Sequence, residues 1–529
     1  MCWDSLGLTL RCARCHKHEP IPQDDYYRLL ALITPAFNIQ DWKDPKARAV
    51  PAVSPARKAE IDAHNESITK RVAKLQEQVK AVKQACRSRL MDANLAQLPE
   101  QIREETKAAV ETPIKSRNEI QRYLVEKFGA KVAIKAEEVQ KSLTEEEQAK
   151  IGRLTGKIAA ENRQIQTHGW IQAVYDVGPP PATHLLNRGE FKNPGHEVSP
   201  GFVSVLSVGH DADGKIIRAL SNSSGRRTAL ARWLTKPGVP ASGLVARVVV
   251  NRVWQHLMGV GIVATSDNLG NSGARPTHPE LLEWLTAEFV SNGWRFKPLI
   301  KQIMLSTIYR QASRRSVDEK SAGPNPRDVD PENHFLWQAR LRRLESEAIR
   351  DTMLVVSGRF NATMGGTPVS LNFRRDGVVR FDEQKLPTPF TKWRRNLYLF
   401  QRRAYHLTML SVFDQPVIVG STCRRTPSAV VLQSLSMMND PLALELAEHF
   451  AERLERPAGA SREKQIKMAF RNALSRQPDA SETAWSMKLL NQQMKRYQST
   501  GVPPHKAERK AVMHLCRVLF NSSEFLYLK

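Results

Sequence analysis

The sequence predicts a mainly α-helical protein. It has a helical-hairpin or coiled-coil arm, a large helical C-terminal domain, and short strands or extended loops near 169–220. Three observations carry this prediction. Ile61, Ile68, Val72, Leu75, Val79 and Val82 fall on a and d positions of a heptad inside a polar Ala-, Glu-, Lys- and Gln-rich stretch, with Cys86 next in register. Residues 221–529 alternate periodic apolar segments with helix-start and helix-stop residues. Between them, 169–206 is dense in Pro, Gly and His, which punctuate short extended pieces rather than helices.

In chain order, a loop is followed by a short helix from Asp24 to Ile33, and Pro35 to Pro55 form a connector. The heptad helix comes next, then helices near Glu100–Phe128 and Thr144–Ile165, the last opened by a capping box of Thr144 and Glu147. In the C-terminal domain, Ser223 or Ser224 caps a helix through Leu234, and Leu244–Leu257 runs to a break at Gly259-Val260-Gly261. Thr277-His278-Pro279-Glu280 reads as a capping box with proline in the first turn, opening a helix through Val290. Phe296–Arg310 and Asn333–Gly358 follow as helices, and the chain is helical again from Leu432. Trp233, Trp254, Trp284 and Trp294 are assigned to the core or its rim. The resulting division is 1–55, an arm at 56–168, a Pro/Gly-rich linker at 169–220, and the helical domain at 221–529.

The chain has 529 residues, enough for two or three domains with a real core. It contains no run of eighteen apolar residues, so no transmembrane helix is indicated. Seventy-nine Lys and Arg against 54 Asp and Glu give a formal charge of +25, which favours acidic partners. No recognised nucleic-acid module accompanies that charge, so nucleic acid ranks below anionic polysaccharide. Zinc-protease, nucleophile-elbow and nucleotide-loop motifs are missing, and no paired-carboxylate site stands out; whether the chain is an enzyme stays open.

The most informative segment is Cys12-Ala13-Arg14-Cys15-His16. Two thiols at this spacing can add to the two vinyl groups of one porphyrin while the adjacent His reaches the iron, as in c-type haem attachment. Two other readings remain open. Cys12 and Cys15 with His16 or His18 are a partial zinc set that needs a remote fourth ligand, and no second Cys-x-x-Cys supplies one. A redox dithiol is the third. His184, His196 and His210 are candidate distal ligands, although ordinary loop roles account for each. Cys2, Cys86, Cys423 and Cys516 are scattered singly. The N-terminus has no basic, apolar or cleavage region of an export signal, whereas c-type haem attachment takes place outside the cytoplasm. A chain truncated from a longer exported protein reconciles the two.

A second candidate lies between Leu371 and Arg403, where nine Lys and Arg meet three acids among interleaved aromatics. Lys392, Arg394, Arg395, Arg402 and Arg403 are the candidate polyanion contacts, with Trp393 as a ring on which a sugar could stack. The alternative is a solvated basic surface over a buried aromatic core. Arg226, Arg227, Arg247 and Arg252 with His256 and His278 invite an anion-site reading, but arginine–carboxylate pairs between helices explain them more simply.

Leu6-Gly-Leu-Thr-Leu-Arg-Cys-Ala-Arg-Cys-His16 with Asp25-Tyr-Tyr-Arg28 resembles the C-terminal end of the planctomycete cytochrome-type second domain. Gly225–Trp233, Ala246–His256, Pro276–Trp284, Gly293-Trp294, Tyr309-Arg310, Phe413-Asp414 and Leu432–Asn439 are similar to the domain of unknown function that follows it. The upstream half of the cytochrome-type domain is absent, and the loop after His16 is shorter than the family's. The resemblance implies an exported, periplasmic protein associated with haem and electron transfer, or linked to polysaccharide breakdown, with redox proteins or anionic polysaccharide as partners. The alternative is a non-catalytic anionic-glycan scaffold whose Cys-His loop holds a structural zinc.

Overall fold

Pro35 and Pro45 break the chain into turns before Ser54, whose hydroxyl accepts the Arg57 N–H at 3.2 Å and opens a 42-residue helix, Pro55–Ala96. The computed structural model describes residues 11–15, 21–207, 217–220, 223–313, 324–402, 405–417, 424–458 and 461–528, with backbone alone at 11, 12, 46, 115 and 456–458. Two compact units emerge: Pro45–Ala173, and Met1–Asp44 together with Val174–Lys529. Both are mainly α-helical, and strands among the described residues form four two-stranded antiparallel ladders.

The helices are α1 Gln23–Ile33, α2 Pro55–Ala96, α3 Glu100–Glu111, α4 Glu119–Val132, α5 Ala136–Lys141, α6 Glu145–Asn162, α7 Arg226–Thr235, α8 Pro240–Met258, α9 Pro279–Ser291, α10 Phe296–Leu305, α11 Pro326–Val329, α12 Ser346–Ser357, α13 Thr408–Val412, α14 Val431–Asn439, α15 Pro441–Ala458, α16 Arg462–Leu474, α17 Ala480–Ser499, α18 Pro504–Phe520 and α19 Ser523–Leu526. The strands are β1 Ala49–Pro51, β2 Trp170–Gln172, β3 His184–Leu186, β4 Pro194–Glu197, β5 Arg342–Arg343, β6 Leu371–Phe373, β7 Val379–Phe381 and β8 Tyr527–Leu528. They pair β1–β2, β3–β4, β5–β8 and β6–β7.

The 45–173 unit is the arm. Its long helix α2 runs antiparallel to α6, as the ion pairs Arg71–Glu161 (3.0 Å) and Arg89–Glu147 (2.9 Å) show. Ile61, Ile68, Val72 and Cys86 are buried along the heptad seam, and Cys86 packs with Val139 and Leu143. Helix α6 starts at the expected capping box: Thr144 Oγ1 accepts from Glu147 N, and the Glu147 carboxylate accepts from Thr144 N. The single helix expected over 100–128 is instead two. Thr112-Pro113 ends α3, since proline has no N–H to continue the ladder and disfavours helix at the residue before it.

In the other unit, α1 lies against α7. Leu29 and Leu32 join Phe202 and Trp233 in one core, where the last two rings stack 5.0 Å apart. Helices α8, α9 and α10 build a second core around Trp254, Leu282, Phe289 and Ile303. Trp284 and Trp294 are exposed and half-buried respectively. The largest core is C-terminal, with Phe450, Phe470 and Phe520 among α12 and α14–α19.

Several expected boundaries are corrected. Gly225, at φ 72°, stands at the N-cap of α7, because Ser223 and Ser224 direct their hydroxyls to the Asp176 carboxylate (2.8 and 2.6 Å). Pro279 starts α9, so His278 occupies the cap position and Thr277 makes no cap bond to the helix. The helix expected over 296–310 ends at Leu305. The helix expected over 333–358 begins only at Ser346. Upstream, the Asp330 carboxylate takes the N–H groups of His334 (2.9 Å) and Phe335 (2.8 Å), and Asn333 and Leu336 have positive φ. Those side-chain bonds turn the chain away from helix, and pairing with β8 extends Arg342–Arg343.

Candidate functional site

Cys12 lies on a 3₁₀ turn, Arg11–Arg14, directly followed by Cys15, and this turn packs on α1 and the β3–β4 hairpin. The Arg14 carbonyl accepts both the Tyr27 hydroxyl (2.9 Å) and Gln23 Nε2 (3.0 Å), and Gln23 Nε2 also reaches the Leu186 carbonyl at 3.0 Å. Ala13 is buried, whereas Cys15 is exposed with a free thiol. Gly189, at φ 73°, lies beneath it; a Cβ there would stand 2.8 Å from Cys15 Sγ. The Cys12 side chain, His16, His18 and His210 lie outside the described residues, as do Cys2 and Cys423. His184 is exposed on β3, and His196 on β4 holds Asp24 through Nε2 at 2.7 Å. Among the described residues no three His, Cys, Asp or Glu side chains form a metal-ligand group.

Within the basic-aromatic stretch Trp393 and Arg394 turn inward, whereas Arg374, Arg375, Arg380, Lys385, Arg395 and Arg402 stay exposed. Lys392 pairs with Glu445 (2.7 Å) and lies over the Trp393 ring (4.5 Å), and Trp393 itself is 4 % exposed, so it offers no face to a sugar. Arg394 is 5 % exposed and donates to the carbonyls of Thr363, Gly365 and Thr367. Arg395 faces Asp351 at 3.4 Å, and Arg402 lies exposed against Phe400 and Tyr405. Arg403 is outside the described residues. The carbonyls of this stretch in turn hold Arg350, which is fully buried. It donates to the Lys392 and Arg394 carbonyls (2.6 and 3.0 Å) and to Asn396 Oδ1 (3.2 Å). Burial pushes its guanidinium down to about 10, with Asp351 opposing; it still carries its charge at neutral pH.

A polar network that spacing alone does not bring together centres on Asp414. Arg343, on β5, reaches Asp414 Oδ2 at 2.7 Å and also donates to the carbonyls of Phe413 and Ser428. Ser428 gives Asp414 both its N–H (2.7 Å) and its hydroxyl (2.9 Å). Asp414 has φ 61°, a backbone state uncommon for a non-glycine residue, retained here because its carboxylate is held from three sides. Burial raises its pKa, but the Ser428 and Arg343 bonds outweigh that and hold it below the ordinary carboxylate value. Beside it, Arg425 grips Glu347 with two bonds of 2.7 and 3.0 Å. Such a saturated, acidic carboxylate is a poor proton acceptor, so the Ser428 hydroxyl lacks the matched base an activated nucleophile needs. Among these residues the geometry ties β5 to the segment between α13 and α14.

The Asp414 network forms one wall of a cleft of about 1080 Å³, which runs from the C-terminal end of α8 past β5 and β8 to residues 413–417 and 424–429. Arg227 and Arg247, considered above as anion contacts, are paired with Asp176 (3.4 Å) and Glu283 (2.7 Å). Arg226 donates to the Ala31 carbonyl at 2.9 Å.

These features define a helical protein whose segments are tied together by arginine–carboxylate and arginine–carbonyl locks around an open basic cleft. Residues 226–490 match the model of the family PSD1, described as a protein of unknown function (DUF1553), and the chain belongs to that family. No curated protein and no solved structure matches it.

Proposed function

We propose that this chain is an exported, haem-associated electron-transfer protein of the planctomycete cytochrome-type group. Cys12 and Cys15 would attach a c-type haem and His16 would supply the proximal ligand. The observation that carries this reading is the Cys-x-x-Cys-His motif on a surface turn whose described thiol, Cys15, is exposed and free. The described residues fit such a group: Gln23 and Tyr27 fix the turn through one carbonyl, and Gly189 leaves the Sγ room that a larger residue would fill. Haem bound there would supply one-electron redox chemistry. The protein's contribution is to hold Cys15 outward and the turn rigid. Redox proteins are the partners this implies.

The test is to export the chain in cells that carry a cytochrome c maturation system, then measure the pyridine haemochrome spectrum and covalent haem staining. Cys12→Ala with Cys15→Ala should abolish both signals. Stoichiometric zinc without haem in the unsubstituted chain would defeat the haem reading and favour the zinc one.

A second reading, a non-catalytic scaffold for anionic glycans, is favoured by the +25 charge and by the basic cleft beside Asp414. A salt-sensitive pull-down on sulfated or uronic-acid polysaccharide tests it, since counterion release makes such binding fall steeply with salt.

A further inference from the structure

We propose that the cleft beside Asp414 is a binding site for an organic oxyanion: a molecule about the size of a disaccharide or a mononucleotide that carries carboxylate, sulfate or phosphate groups. The proposal deepens the anion-scaffold reading by giving it a site.

Charge is the first argument. Five arginines line the cleft against two acids, Glu345 and Asp414. Arg343 and Arg425 are matched by carboxylates, and Arg340, which donates to the carbonyls of Glu332 and Asn333 (2.6 and 2.9 Å), also interacts with the Asp330 charge; among the described residues Arg342 donates to the His256 carbonyl (2.7 Å). Carbonyl bonds orient a guanidinium without neutralising it. Arg424 is exposed at the rim. The uncompensated charge is therefore positive and concentrated within one concave surface, where low-dielectric walls focus it.

Preorganisation is the second. Arg340 is oriented through Nη2 by the carbonyls of Glu332 and Asn333, and Arg342 through Nη1 by the carbonyl of His256. Arg342 lies across Gly259, at φ 92°, where a Cβ would come within 2.6 Å of the arginine Cδ. The glycine lets the arginine lie flat at the cleft wall. Guanidinium forks fixed in this way suit oxyanions, which accept two parallel bonds.

The apolar lining points to the rest of the ligand. Tyr309, Leu341 and Leu528 also line the cleft, and the two leucines are 61 % and 48 % exposed. An inorganic ion would leave these surfaces and most of the volume unused. Small-molecule sites span about 300–1000 Å³ and pair apolar lining with a few placed polar groups. A ring or chain framework bearing the anionic groups fills both requirements.

The experiment is calorimetric titration of the full chain with four probes: a sulfated disaccharide, a uronic-acid disaccharide, a nucleoside monophosphate and inorganic sulfate. Dextran sulfate serves as a separate polymer arm. We expect one organic probe to bind saturably with one-to-one stoichiometry, inorganic sulfate to compete only weakly, and the binding probe to identify the source of the oxyanion. Arg342→Gln and Arg424→Gln should each weaken binding at least about tenfold, the loss of a charge-assisted bond. Lys488→Gln, on exposed α17, should leave binding unchanged. Arg424 is exposed, so its variant tests the site even if Arg342→Gln impairs folding. No binding of any organic probe, or binding unchanged in Arg424→Gln, would overturn the site. Dextran sulfate binding that survives both arginine variants would overturn the site while the scaffold reading stands; no dextran sulfate binding by the unsubstituted chain would remove both.

Discussion

Arg343 and Asp414, 71 positions apart, meet at 2.7 Å with the arginine side chain only 5 % exposed. The pair joins β5 to the turn after α13, and through Ser428 and Gln433 it also fixes the approach to α14. Asp414 adopts its left-handed backbone at this junction. One residue thus ends a helix, turns the chain and supplies the counter-ion of a buried arginine.

Asp414→Ala should lower stability by about 3 kcal/mol, because it leaves the buried Arg343 charge without its partner. Asp414→Asn should lose less, since an amide oxygen still accepts from Ser428 and Asn tolerates positive φ. Urea denaturation followed by circular dichroism measures both; equal losses for Ala and Asn would contradict the assignment.

Arg350 is locked by three acceptors and lies 5.3 Å from the Phe381 ring. Lysine cannot reproduce a planar fork, so Arg350→Lys should cost roughly 2–3 kcal/mol by stranding buried carbonyl and amide acceptors. The loss should appear as a lower denaturation midpoint, together with faster amide exchange across 389–399. Exchange unchanged in that segment would mean that Arg350 does not organise it.

Stability should fall on acidification in two stages. Burial lowers the pKa of His406, against the opposing Glu347 charge, and the His406 Nε2 is buried without a partner. The unfolded chain therefore binds that proton more readily, and stability declines as pH drops below the ordinary histidine value of about 6.5. His514 adds to this stage through burial and the nearby Arg517 and Arg496. The second stage comes from carboxylates. For Asp414 and Glu347 burial raises the pKa, but the Ser428 and Arg343 bonds and the Arg425 bonds, respectively, hold the net value low. Their contribution is complete above the unfolded carboxylate range near 4 and is lost as pH falls through the depressed folded values. Denaturation midpoints measured from pH 8 down to pH 3 check this, and His406→Gln should shrink the upper stage, leaving the His514 part and the lower stage in place.

In the 45–173 unit, Thr144→Ala removes the hydroxyl that accepts from Glu147 N. The expected loss is about 1 kcal/mol, concentrated at the start of α6. Hydrogen exchange of residues 145–149 should accelerate several-fold while the C-terminal half of α6 is unchanged; uniform acceleration would argue against a local cap.

Much of the helical architecture was legible along the chain because its causes are local. The heptad of α2, the Thr144 capping box, the Gly259 stop of α8 and the proline start of α9 each depend on residues within a turn or two. Local rules failed where a distant partner competed for the same group. Asp176 takes the serines expected to cap α7, and β8 extends the arginines expected in a helix. The Cys-x-x-Cys-His spacing at Cys12–His16 is equally a property of the sequence. What the tertiary structure alone decided is which arginines are available. Along the chain, Arg394 in the basic-aromatic stretch and Arg342 before α12 look alike. Folding buries the first under three carbonyls and lays the second across Gly259 in an open cleft. A charge is fixed by residue type, but its solvation and its counter-ions are set by packing between segments far apart in sequence.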